Sequence, residues 1–105
     1  METMRTPPES CRSMAEVRSS IDKLDRELVV LLAERFRFMD AAARIKCGRD
    51  EVRDEPRKRE VIENAAAHAR ALGLPDDLAE QLWEALVEAS IAYELQSFDR
   101  RRAIS

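Results

Sequence analysis

Glycine, histidine and aromatic side chains are scarce in this sequence: two glycines, one histidine and 5% Phe, Trp and Tyr among 105 residues. So few turn-forming and sheet-filling residues argue against a β-rich chain. A lone His68 leaves no histidine pair for a metal site and no basis for a histidine-driven triad. The two cysteines, Cys11 and Cys47, lack both metal-ligand spacing and a secreted context, and read as free thiols of a reducing cytoplasm. Apolar runs extend only a few residues, too short to span a membrane. "METMRTPPESCRS" carries no apolar secretory segment, so the expected location is cytoplasmic. Charge is plentiful but balanced, 37% of residues with a net of -3, which provides no basic field for nucleic acid and no polybasic membrane anchor.

What the chain does have is apolar residues, 45% of it, laid out at helical spacing. Residues 1–12 read as a flexible lead-in. Ser13 and Glu16 then have the spacing of a capping box. From Val17 the apolar positions step through Ile21, Leu24, Leu28, Leu31, Leu32, Phe36, Met39, Ala42 and Ile45, with no proline or glycine before Gly48. The spacing predicts a first helix of about 34 residues, about 50 Å long. "GRDEVRDEP" is a polar connection in which Asp54 suits an N-cap and Pro56 a first helical turn. A second helix ends at Gly73, with Pro75 just beyond. Asp76 or Asp77 opens a third, with Leu78, Leu82, Trp83, Leu86, Val87 and Ile91 at its apolar positions, fading near Arg100. The expected fold is all-α with three helices, over residues 13–100, followed by a tail at 101–105.

A helix of that length exceeds what a globule with a radius of gyration of about 13 Å can cover. Residual apolar surface on it implies a second chain, and the expectation is an intertwined homodimer of long helices. The alternative is a monomer whose first helix kinks.

Within the first helix, the stripe Leu28, Leu32, Arg35, Met39, Ala42, Lys46 sets two cations into an apolar seam. Such placement is costly unless an anion meets them. Arg35 and Lys46 are three turns apart, about 16 Å, and can grip one small molecule between them. Arg18 lies about 25 Å from Arg35 along the axis, out of reach in its own chain but not in an antiparallel partner. Arg57 stands in the first turn of the second helix with Asp54 three residues before it, and Ser90 and Glu94 lie one turn apart on the third. Each could be an ordinary surface charge or intrahelical pair. Together they suit a compact polycarboxylate, which arginines bind in bidentate fashion. Phosphate is less favoured, because no glycine-rich cradle is present.

The stretches "VRSSIDKLDRELVVLLAERF", "AARIK", "VRDEPRKRE" and "EALVEASIAYEL", covering about residues 13–98, resemble the all-helical, type II class of chorismate mutases, including the related isochorismate-pyruvate lyases. The resemblance implies a dimer of three-helix chains whose sites each take an arginine from the partner. It assigns Arg18 of the partner subunit and Arg35 to substrate carboxylates, Lys46 to the ether oxygen and a carboxylate, Asp54 and Arg57 to the region of the ring hydroxyl, and Ser90 to a carboxylate. Lys58 departs from the glutamate that many bacterial members carry there. Glu94 stands where a glutamine is usual, although fungal members also have glutamate.

The reaction so implied is the pericyclic conversion of chorismate to prephenate, which needs no cofactor, metal or nucleophile. Catalysis then rests on holding the dianion in its reactive shape and stabilising charge on the breaking C–O bond. Lys46 and Glu94 would flank that oxygen. A carboxylate cannot donate a hydrogen bond, so Glu94 helps only when protonated, and activity should fall as pH rises through its titration. Three alternatives stay open: an isochorismate-pyruvate lyase in the same pocket, which "TPPESC" and "MDAAARIK" also resemble; a mutase of an amino-substituted chorismate, since Lys58 alters the hydroxyl region; and a non-catalytic helical dimer. Arg100, Arg101 and Arg102 read as a solvated helix end.

Overall fold

The computed structural model describes residues 5–103; the first four residues of the lead-in and the last two of the tail lie outside them. The chain divides into two compact units, Met1–Arg35 and Phe36–Ser105. The described residues form three α-helices, α1 (Met14–Ile45), α2 (Glu55–Ala71) and α3 (Leu78–Ala103), with short 3-10 turns at Pro8–Ser10 and Arg49–Glu51 and no strand. None of these helices is long and apolar enough to cross a membrane.

In the first unit the segment before α1 is fastened to the helix it precedes. Arg5 Nη1 donates to both carboxylate oxygens of Glu27, at 2.7 and 2.6 Å. The Thr6 amide donates to Ser20 Oγ at 3.1 Å. Ser13 Oγ receives the amide of Glu16, as the capping-box spacing predicts. The reciprocal bond goes one residue further back than expected, from the Arg12 amide to Glu16. Along α1, Ile21 is 49% exposed, Leu28 50%, Val30 65% and Leu32 41%.

The second unit is built on α2 and α3. Asp54 caps α2, its Oδ1 receiving the Arg57 amide at 3.0 Å, with Pro56 in the first turn where its missing N–H is harmless. At the other end Gly73 takes φ +77°, while the amides of Gly73 and Leu74 bond the carbonyls of Arg70 and Ala69. That is a Schellman close, and the left-handed residue it requires explains the glycine. Asp77, also left-handed at φ 69°, starts α3 by receiving the Gln81 amide on its carbonyl.

Val87 and Ile91 of α3 form the buried core with Val52, and Val61, Ile62, Trp83 and Leu95 pack against it. Val52 comes from the polar connection, where helical periodicity gave no sign of it. Leu82, by contrast, sits on the predicted apolar face of α3 yet is 53% exposed.

Candidate functional site

The C-terminal end of α1 and the middle of α3 bring two of the expected residues into contact. Lys46 follows the last residue of α1, and its Nζ lies 2.7 Å from Oε2 of Glu94. The Glu94 side chain is 6% exposed and the Lys46 side chain 27%. Glu94 Oε2 receives no hydrogen bond among the described residues. The lysine approaches it closely but off the line a hydrogen bond needs, so the contact is a charge pair with unused accepting capacity. Burying a carboxylate without its counter-charge would be prohibitive, and the pair is what permits Glu94 at this depth.

Ser90, one turn before Glu94, is also buried, at 4% exposure, and its Oγ donates to the Leu86 carbonyl at 2.7 Å. That back-bond to the preceding turn satisfies the hydroxyl hydrogen.

At the start of α2 the expected residues have local partners. Asp54 is the helix cap. Arg57 extends over the surface to Glu60 Oε1 at 2.7 Å, both side chains 62% exposed. Lys58 is drawn onto α3: its Nζ bonds Glu84 at 2.9 Å and Glu88 at 2.7 Å, and its side chain is only 16% exposed. Arg53 grips the same Glu88 with two bonds, of 2.7 and 3.0 Å. Those bonds, first from Arg53 and then from Lys58, hold the Glu88 carboxyl down at about 2. The same contacts push the Lys58 ammonium above its ordinary range, Glu88 contributing most. The residue that departs from the usual glutamate is therefore committed to α3.

Arg18 and Arg35 belong to the first unit, on α1; Arg18 is exposed and Arg35 half-buried.

Of two further groups, one went unnoticed in the sequence and the other was read differently there. Asp40, six residues before Lys46, accepts hydrogen bonds from Tyr93 Oη at 3.0 Å and Ser97 Oγ at 2.9 Å. The bond to Asp40 raises the Tyr93 phenol above its ordinary range, with burial adding to it. The Tyr93 ring meets Phe36 edge-on, centroids 5.0 Å apart. Arg102 is the other group, and it corrects the reading of 100–102 as a solvated end. Its guanidinium lies 3.9 Å from the Phe98 ring centre, and Nη2 donates to the Lys46 carbonyl at 2.6 Å. Stacking on an aromatic face and capping a carbonyl at the end of α1 fix this arginine in place while it stays exposed, and Arg101 beside it is half-buried. The only sequence signal for Asp40 was an acid inside the apolar run "FMDAAA".

An all-α chain of three helices is what the resemblance of the sequence implies. The match to known families agrees: residues 17–95 fit the family described as chorismate mutase type II. The chain belongs to the type II chorismate mutase family. Among characterised relatives, it is similar to the isochorismate pyruvate lyase of Pseudomonas aeruginosa, with 27% identity over 99 residues, 94% of this chain and 97% of the relative. In type II chorismate mutase terms, the fold is the expected three-helix chain. That relative is named for a different reaction from the one in the family's description.

Proposed function

We propose that the protein rearranges chorismate to prephenate, acting as a homodimer whose sites are each completed by Arg18 of the partner subunit. The observation that carries this reading is the Lys46–Glu94 pair, 2.7 Å apart and largely buried. A pericyclic shift needs no covalent catalyst. It needs a substrate folded so that the reacting carbons meet, and groups that stabilise negative charge on the departing ether oxygen. Arg35 and Arg18 of the partner subunit would hold the two carboxylates. When the dianion enters, the Lys46 ammonium turns to the ether oxygen and one carboxylate. Glu94 serves as a donor to the same oxygen only in its protonated form. Ser90 lies one turn before it on α3, while Asp54 and Arg57 frame the ring side of the substrate.

The dimer is supported by the exposed apolar stretch of α1, including Ile21, Leu28, Val30 and Leu32, which one chain leaves in water. The family adds to this support.

One observation favours a second reading. Similarity to the lyase spans 99 residues and so runs beyond the 17–95 core of the family. In that reading the same cationic pocket eliminates pyruvate from isochorismate and leaves salicylate. Lys58 bears on the choice, since its bonds to Glu84 and Glu88 withhold it from the substrate ring.

The deciding experiment incubates purified protein with chorismate and with isochorismate separately and resolves the products by chromatography. Prephenate from the first supports the mutase. Salicylate and pyruvate from the second, with chorismate untouched, replace it by the lyase. No turnover of either overturns both.

A further inference from the structure

Asp40 lies within α1, yet both of its carboxylate oxygens are engaged by α3, one by Tyr93 and the other by Ser97. Those two donors flank Glu94: Tyr93 immediately precedes it, and Ser97 follows three residues later. Both ends of the bridge are well set, with Ser97 2% exposed and Tyr93 braced edge-on by Phe36. Sliding α3 by one turn, about 5.4 Å, or turning it about its axis would break both bonds at once. Asp40 also precedes Lys46 by less than two turns on the same helix. A single carboxylate is thus tied closely in sequence to Lys46 on one side and to Glu94 on the other. From the opposite direction, Arg102 of α3 holds the backbone carbonyl of Lys46 at 2.6 Å. Each helix grips the other next to the residue that matters.

We propose that Asp40 is a positioning residue, which sets the register of α3 on α1 and thereby the placement of Glu94 against Lys46. The inference rests on the functional reading above for its kinetic meaning, though not for its geometry. Asp40 touches neither Lys46 nor Glu94 through the bonds described, so its action is through Tyr93 and Ser97. Burial alone does not explain it, because Asp40, Tyr93 and Ser97 line an open hollow of about 540 Å³ with Arg100 and Arg101. A neutral residue could fill that place without being trapped away from water. What a neutral residue lacks is the second acceptor.

The test uses Asp40→Asn, which keeps shape and one acceptor, together with the double variant Tyr93→Phe, Ser97→Ala, which removes both donors and leaves Asp40. Misplacing a catalytic group by about 1 Å costs up to about 100-fold in rate. The partial loss in Asp40→Asn is expected to lower kcat about tenfold with KM within about twofold, because the carboxylate-holding arginines are untouched. A change carried by KM alone, or an unchanged kcat in folded protein, overturns the proposal.

A second readout needs no substrate. The chain has three lysines, Lys23, Lys46 and Lys58. The Cε signal of Lys46 can therefore be assigned by NMR using Lys23→Arg and Lys58→Arg. In both Asp40→Asn and the double variant it should move toward its position in Glu94→Gln, where the opposing charge is absent. A Lys46 signal unmoved from wild type overturns the positioning role. Should wild type convert neither chorismate nor isochorismate, the functional reading fails, and this signal alone then judges the geometry. If Asp40→Asn fails to fold, the double variant, which keeps every charge, carries both measurements.

Discussion

Removing Lys46 should cost far more stability than neutralising Glu94, although the two changes break the same contact. Their side chains differ in depth, 27% exposed for the lysine and 6% for the glutamate. Lys46→Ala leaves a buried carboxylate with no counter-charge, and breaking a buried pair in this way costs about 3–5 kcal/mol. The partial exposure of Lys46 lets water approach, which places the expected cost near the lower end, about 3 kcal/mol. For a domain of this size that lowers Tm by on the order of 15 °C. Glu94→Gln instead leaves an ammonium that can swing into solvent and an amide that keeps hydrogen-bonding capacity, at a cost of about 1 kcal/mol. The double variant Lys46→Met, Glu94→Gln removes both charges and keeps the apolar stem, so it should fall within about 1 kcal/mol of wild type. Equilibrium unfolding in urea followed by circular dichroism measures all of these, at fixed protein concentration because dimerisation contributes by mass action. The pair should couple by about 2 kcal/mol or more in a cycle built from Lys46→Met, Glu94→Gln and their double variant. Costs that simply add, or a Lys46→Ala no worse than Glu94→Gln, would falsify the reading of this contact as a buried charge pair.

Two other outcomes follow from the same structure. If each site borrows Arg18 from the partner subunit, Arg18→Ala and Lys46→Ala should each abolish activity alone. Co-refolded in equal amounts they should recover about a quarter of the wild-type rate, since half the dimers are mixed and each mixed dimer has one intact site; no recovery in mixed dimers argues for sites contained within one chain. Glu88 provides a pH test. Its carboxyl, ordinarily at 4.5, is held at about 2 in the folded chain, first by Arg53 and then by Lys58. A depressed folded value stabilises the protein above the unfolded value, and that contribution is lost as pH falls from about 5 toward 2. Glu88→Gln should therefore flatten the acid side of a Tm-against-pH curve, and a variant with the wild-type acid slope would refute the network.

The helices were readable because their limits are local. Ser13 with Glu16, Asp54 with Pro56, and Gly73 each act within a turn of their own position, so a linear sequence carries the signal. The seam of α1 was readable for a similar reason, as periodicity alone distinguishes one side of a helix from another. The resemblance named Lys46 and Glu94 as flanking one oxygen; in the folded chain the two side chains lie against each other.

Other features depended on which helix lies against which. Val52 joins the core from a polar connection because α2 and α3 enclose it, and no periodicity precedes it. Lys58 looked like a change in a substrate-facing position, but Glu84 and Glu88, a helix away, claim its ammonium. Asp40 meets Tyr93 and Ser97 more than fifty residues further along the chain, and Arg102 turns back to the end of α1. Sequence by itself determined the three helices and the residues that give this chain its family, since propensity and capping act over a few residues. The pairing of charges across helices was decided by tertiary packing alone, because a side chain takes the nearest opposite charge in space wherever that charge lies in the chain.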